Sequence, residues 1–196
     1  MSDAREQQVV SIRHGETEWS RDGRHTSHTD IPLTERGRGQ AIALGDRLRA
    51  RRFARVLTSP QARALDTCRL AGYGEAAERR QELVEWDYGE YEGRTTIDIR
   101  RDRPGWSLWM DGVPGGETAA EVGARVDRII EEIRATPGDV AVFGHGHLLR
   151  VLGARWVDLA PAEGRTLALD PASISILGFE RETPVITLWN EPEAHG

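Results

Sequence analysis

The chain has 196 residues, 38% hydrophobic and 30% charged, a balance that places it among folded globular proteins rather than disordered or membrane ones. All 26 basic residues are arginine, which excludes chemistry that needs a Schiff-base or phosphate-loop lysine. A net charge of −6 speaks against a nucleic-acid partner, which clustered cations would meet.

Met1 to Gln8 is polar, with neither a signal peptide's apolar stretch nor a membrane span, so a cytoplasmic location away from any membrane is expected. A chain of this length is expected to form one domain over 1–196. Apolar Val9 to Ile12 reads as a buried strand that delivers Arg13-His14-Gly15 to its carboxyl end, the edge where open α/β sheets hold ligands. From Thr34 to Arg52, Ala41, Leu44 and Leu48 keep helical spacing, with Thr34 as N-cap. Arg55 to Thr58 is a second strand. Ser59-Pro60 after it predicts a capping serine and a first-turn proline on a helix through about Leu70, with Arg63 on the first turn. The one cysteine, Cys68, has no partner for an internal disulfide and is assigned to packing.

Thr118-Ala119-Ala120-Glu121 is a capping box, and Val122, Val126, Ile129, Ile130 and Ile133 extend an apolar stripe that Pro137-Gly138 ends. Val140 to Phe143 is a compact strand running into Gly144-His145-Gly146-His147, and the segment from Leu148 to Trp156 is helical in spacing. Two closing strands, Ser173 to Phe179 and Val185 to Trp189, flank a polar turn containing Thr183-Pro184. This alternation predicts an α/β fold, a three-layer α/β/α sandwich with a mostly parallel sheet.

Phosphoryl transfer to a side chain needs a nucleophile, cations for the equatorial oxygens and an acid for the leaving oxygen. Arg13-His14-Gly15-Glu16-Thr17, Ser59-Pro60-Gln61-Ala62-Arg63-Ala64 and Gly144-His145-Gly146 each follow a strand. In this order the chain resembles the histidine phosphatase superfamily, of phosphoglycerate-mutase-like fold, over essentially its whole length. The resemblance implies that His14 is the nucleophile, His145 the second histidine of the pocket, and Arg13 and Arg63 the phosphoryl clamp. It also places the proton donor in the segment from Glu85 to Gly93, at Glu85, with Asp87, Glu90 and Glu92 as competing carboxylates. Substrate contacts are expected from Arg13, Thr17, Ser20, Arg24, Thr26, Arg63, Tyr88 and Gly146. Thr118, in Gly115-Gly116-Glu117-Thr118, falls on another family stretch, of less clear role.

The residues agree with that implication, because an imidazole of ordinary pKa, about 6.5, is largely neutral and able to attack at physiological pH. Trp86, Trp106 and Trp109 are assigned to packing and Tyr88 to the pocket. His25, His28, His145 and His147 would need a further carboxylate or thiolate to make a metal site, so neither metal nor other cofactor is expected. Phosphoglycerate mutases carry asparagine where this chain has Ser20 after Trp19, Leu-Asn-Lys where it has Arg94-Thr95-Thr96, and an arginine pair in a longer insertion before Gly115. The motifs are closer to broad-range acid phosphatases and the sedoheptulose-bisphosphatase-like branch. Hydrolysis of small phosphorylated metabolites, sugars above all, is the expected activity. A phosphoglycerate mutase and a non-catalytic phosphate-binding module are the alternatives, and homodimerisation is left open.

Overall fold

The computed structural model describes residues 7–193. Six strands form one sheet in the order β3-β2-β4-β1-β5-β6: β1 Val9–Arg13, β2 Arg55–Thr58, β3 Ala77–Arg79, β4 Val140–Gly144, β5 Ile174–Glu180 and β6 Thr183–Glu191. The pairs β3/β2, β2/β4 and β4/β1 are parallel, and β5 pairs antiparallel with both β1 and β6. The helices are α1 Glu18–Asp22, α2 Glu35–Leu48, α3 Ala62–Leu70, α4 Thr96–Asp102, α5 Leu108–Asp111, α6 Ala119–Arg134 and α7 Gly146–Trp156.

The three layers follow from the period of two along the central strands. Val9 of β1 and Val140 and Val142 of β4 point into a core shared with Val122, Val126 and Ile129 of α6 and Leu149 and Leu152 of α7. Their neighbours Val10, Ile12, Ala141 and Phe143 enter a second core with Leu44 and Leu48 of α2 and Cys68 of α3. Helices α6 and α7 therefore cover one face of the sheet and α2 and α3 the other. Cys68 is fully buried in the second core, which pushes its thiol up to about 12.

Thr34 caps α2 through its hydroxyl on Gly37 N, and Thr118 forms the expected capping box with Glu121 on α6. Two local expectations are corrected. Ser59 does not cap α3, which starts at Ala62 with Gln61 at the N-cap; the Ser59 hydroxyl turns to His145 instead. Thr183 and Pro184 lie inside β6 rather than in the turn, which falls at Arg181 and Glu182. Proline is tolerated there because β6 is an edge strand.

Candidate active site

The chain leaves β1 and β2 toward α2 and α3 on one face of the sheet and leaves β4 toward α7 on the other. A crevice therefore opens at the carboxyl ends of β1 and β4, as expected where crossover direction switches. Arg13 pairs in register with Gly144, and His14 N donates to Gly144 O at 3.0 Å. A cavity of about 210 Å³ lies there, and Arg13, His14, Ser20, Arg24, Thr26, Glu85, Tyr88 and Gly146 of the expected residues line it.

His14 Nδ1 stands 2.7 Å from Gly15 O, and a carbonyl only accepts. The ring proton of the neutral form therefore sits on Nδ1, and the lone pair is on Nε2. Burial first, then the charges of Arg63 and Arg13, hold the imidazole well below its ordinary pKa, so it is neutral. The loop is pinned from beneath: a Cβ on Gly15 would lie 2.4 Å from Gly37 O at the start of α2, and Gly15 N donates to Thr67 Oγ1 at 3.0 Å.

His145 packs on His14 with ring centroids 5.3 Å apart, and its Nε2 lies 2.8 Å from Ser59 Oγ. Burial, followed by Arg63, His14 and Arg13, lowers this imidazole well below its usual value too. Arg63, almost fully buried, donates through Nη2 to Thr26 O and Ser27 O at 3.1 and 3.2 Å and through Nη1 to Thr29 O at 3.3 Å. Arg13 Nη1 donates to Leu169 O. Arg13 Nε, Arg63 Nε and His145 Nδ1 are buried with no hydrogen-bond partner among the described residues. Buried polar atoms are normally paired, so three such atoms around one neutral histidine fit a ligand rich in acceptor oxygens. The cavity also faces the N-terminus of α7, whose dipole favours an anion. Gly146 lets Arg13 reach that terminus, for a Cβ there would lie 3.3 Å from the guanidinium carbon.

Glu85 is buried, and its carboxylate caps α7. Oε1 accepts from Leu148 N and Trp86 N, both at 2.9 Å, and Oε2 accepts from His147 N at 3.0 Å. With two bonds on Oε1 and one on Oε2, Oε2 is the atom with capacity to hold and pass a proton. Two of the competing carboxylates are turned elsewhere. Asp87 lies 3.2 Å from His28 Nε2, and Glu92 accepts from the Ser27 and Thr29 amides.

Two expected residues do not line the cavity as Arg13 does: Arg63 and His145 are buried beside it. Thr17 is also off the wall, buried as the N-cap of α1 in a reciprocal capping box with Ser20. Arg24 stands 5.9 Å over the Trp19 ring at the cavity mouth. Of the aromatic residues, Trp86 and Trp106 are core, whereas Trp109 is partly buried beneath the guanidinium of Arg150 at 4.6 Å.

Sequence reasoning missed His25, Thr96, His147 and Arg150 on the cavity wall. Tyr88 Oη lies 2.6 Å from His147 Nδ1, and His25 stacks on Tyr88 at 4.7 Å. Burial lowers His25 to about 4 and, with Arg150, carries His147 well below its ordinary value. Arg150 was legible in principle, one helical turn beyond Gly146 on α7 and so on the same face. Among the described residues no three histidine, cysteine or acidic side chains form a group able to hold a metal ion, and no helix is long and apolar enough to cross a membrane.

A sequence profile of the histidine phosphatase superfamily (branch 1) matches residues 9–192. An acid phosphatase of Mycobacterium tuberculosis is 41% identical, the match covering 96% of each chain. Sedoheptulose 1,7-bisphosphatase of Saccharomyces cerevisiae is 36% identical over 76% of this chain and 67% of its own. The solved structure of the product of a Mycobacterium tuberculosis open reading frame superposes with a TM-score of 0.92 at 39% identity, covering 97% of this chain and all of the other.

Proposed function

Because the chain belongs to the histidine phosphatase superfamily, branch 1, we propose that it hydrolyses phosphomonoesters of small metabolites through a phosphohistidine on His14. The observation that carries this reading is the convergence of Arg13 Nε, Arg63 Nε and His145 Nδ1, all without a partner among the described residues, beside a neutral His14 and a carboxylate. The phosphoryl oxygens take those nitrogens as partners and gain the α7 N-terminus.

His14 Nε2 attacks phosphorus while the bond to the alcohol oxygen breaks, and Glu85 Oε2 gives its proton to that oxygen. Glu85, now ionised, takes a proton from the water that attacks the phosphohistidine. Inorganic phosphate leaves, and His14 and Glu85 are restored. The two arginines and the helix terminus supply the positive charge that a metal would otherwise bring, so the reaction is proposed to run without one. Phosphorylated sugars are the proposed substrates. Hydroxyl groups would meet Tyr88, Thr96, His25 and His147 on the wall beyond the phosphoryl position, and the relatives named acid phosphatase and sedoheptulose 1,7-bisphosphatase support the choice.

The test is labelled-phosphate trapping combined with turnover. Wild-type protein is expected to hold acid-labile label and to turn over in EDTA at its normal rate, and His14→Ala is expected to lose both label and turnover while keeping its melting temperature. A His14→Ala protein that still carries label, or one that keeps a tenth of wild-type rate, sinks the assignment, and EDTA inhibition reversed by zinc sinks the metal-free route.

A further inference from the structure

We infer that Glu117 and Arg125 are positioning residues for the proton donor: together with Gly116 they strap the loop carrying Glu85 to the start of α6 and fix the carboxylate against α7. The inference rests on the reading of Glu85 as proton donor and goes beyond it, giving the Gly115-Gly116-Glu117-Thr118 stretch a role in that reaction.

Glu85 lies in irregular chain between the 3-10 turns Gln81–Leu83 and Gly89–Tyr91, so no regular ladder holds its backbone. Glu85 N donates to Gln61 Oε1 at 3.2 Å and Glu85 O accepts from Ser27 Oγ at 3.4 Å, while the residues on either side of it are held from the start of α6. Glu117 N donates to Asp87 O at 2.9 Å, Asp87 N donates to Glu117 Oε2 at 2.9 Å, and Trp86 Nε1 donates to Glu117 O at 2.9 Å. One residue of the 115–118 stretch thus holds the two residues that follow Glu85 by three bonds. Arg125, on α6, grips the same carboxylate with both prongs of its guanidinium, Nε to Oε1 at 2.8 Å and Nη2 to Oε2 at 2.9 Å. Its third nitrogen, Nη1, donates to Glu82 O at 2.7 Å and Val84 O at 2.6 Å. Backbone on both sides of Glu85 is therefore tied to a single ion pair. That pair is largely shielded, with side-chain exposures of 11% and 23%, so the two-pronged geometry is not dissolved by solvent as a surface pair would be.

The glycine beside the pair sets how close the strap sits. A Cβ on Gly116 would lie 2.3 Å from Asp87 O and 2.8 Å from Gly89 N, both backbone atoms with no side-chain freedom to yield. From the other side, a Cβ on Gly89 would lie 2.2 Å from Pro114 O. The two segments touch main chain to main chain, and Thr118, capping α6, fixes where the strap begins. None of these groups lines the cavity that holds His14; Glu117 and Arg125 meet Glu85 in a separate cleft with His28, Val84 and Asp87. They act on the reaction through where they put Glu85 Oε2, and a displacement of about 1 Å at a reacting group can cost on the order of a hundredfold.

The experiment measures kcat for a sugar phosphate and for an aryl phosphate with an acidic phenol, in Glu117→Gln, Arg125→Lys and Glu85→Gln and in the double variant Arg125→Lys with Glu85→Gln. Glu117→Gln keeps the shape and one acceptor oxygen, and Arg125→Lys keeps the charge but loses the fork, so both are chosen to fold. Arg125→Lys and Glu117→Gln should lower the sugar-phosphate rate about tenfold or more relative to the aryl-phosphate rate. In the Glu85→Gln background the Arg125 change should lower that ratio no further, because a group acting through Glu85 has nothing left to position. Equal losses on both substrates, or a full additional loss in the double variant, would mean that the pair merely holds the fold and would overturn the inference. Glu85→Gln with no leaving-group dependence overturns the proton-donor reading and the strap with it. Glu85→Gln with strong dependence beside Arg125→Lys with none overturns the strap alone.

Discussion

Ser59 and Asp87 show how side-chain surroundings divide labour among neighbouring polar residues. The Ser59 hydroxyl is the partner of His145 Nε2, and Gln61 N donates to it at 3.3 Å. Ser59→Ala leaves a fully buried imidazole with neither nitrogen paired by protein, which should cost about 1–3 kcal/mol of stability and weaken competitive inhibition by vanadate. Calorimetry and an inhibition series check both effects, and an unchanged vanadate constant would show that Ser59 does not orient the ring. Asp87 sits two residues from Glu85 yet pairs with exposed His28 and caps Gly89 N. Asp87→Asn is therefore expected to keep the wild-type ratio of sugar-phosphate to aryl-phosphate rates, and a collapse of that ratio would transfer the acid role to Asp87. The residues legible in the sequence, His14, Arg13, Gly146 and Glu85, follow directly on an apolar strand or sit in a motif with its own chemistry. His25 and Arg150 reach the same wall through loop path and helix phase, for which one strand end gives no warning.

At the level of elements, the contact between the nucleophile loop and α2 is main chain on main chain. A Cβ on Gly37 would lie 2.1 Å from Glu16 O and 2.8 Å from Glu16 N, whereas one on Gly39, two residues on, meets nothing within 4 Å. Gly37→Ala should destabilise by about 1–3 kcal/mol and lower kcat, because α2 can make room only by moving the loop that bears His14. Gly39→Ala should instead stabilise the exposed face of α2 by about 0.5–1 kcal/mol without changing kcat. Denaturant titrations of the pair decide it, and similar behaviour of both variants would show that the close approach carries no strain. The long helices and central strands were legible because they carry apolar periods and caps, as Thr34 and Thr118 do. Strand β3, with the sequence Ala77-Glu78-Arg79, was not, since it is a half-exposed edge held by Glu78 pairing with Arg55 and Arg80 rather than by apolar residues. Helices α1, α4 and α5 run only 5, 7 and 4 residues, too short for a period of 3.6 to declare itself.

The whole molecule carries a net charge of −6 yet buries Arg13 and Arg63 together with four neutral histidines, His14, His25, His145 and His147, around one cavity. Such a site is costly when unliganded, and an anion that binds only the folded state at about a hundred times its Kd should add about 2.7 kcal/mol. The histidines also set an acid limit to stability. Each has a folded pKa below its unfolded value of about 6.5, so as pH falls the unfolded chain takes up the proton first. Stability is therefore full above about 6.5 and declines below it, by about 1.4 kcal/mol per pH unit for each such histidine. His25 stops contributing to the slope near its folded value of about 4, where both states are protonated. The other three, held well below their ordinary value by burial and by neighbouring arginines, add to the slope below about 6.5. Paired carboxylates titrate in a lower window: Glu78, brought to about 2 by its hydrogen bond with Arg55, affects stability only below its ordinary pKa of about 4.5. Between about pH 6.5 and about 4.5 only the histidine contribution acts. Melting temperature should thus fall steadily from about pH 6.5 to about pH 4, and His25→Asn should show a shallower fall over that interval with no change below it. A melting temperature that stays flat until about pH 4 would place the acid limit on the carboxylates, and the histidines would then not be neutral by burial.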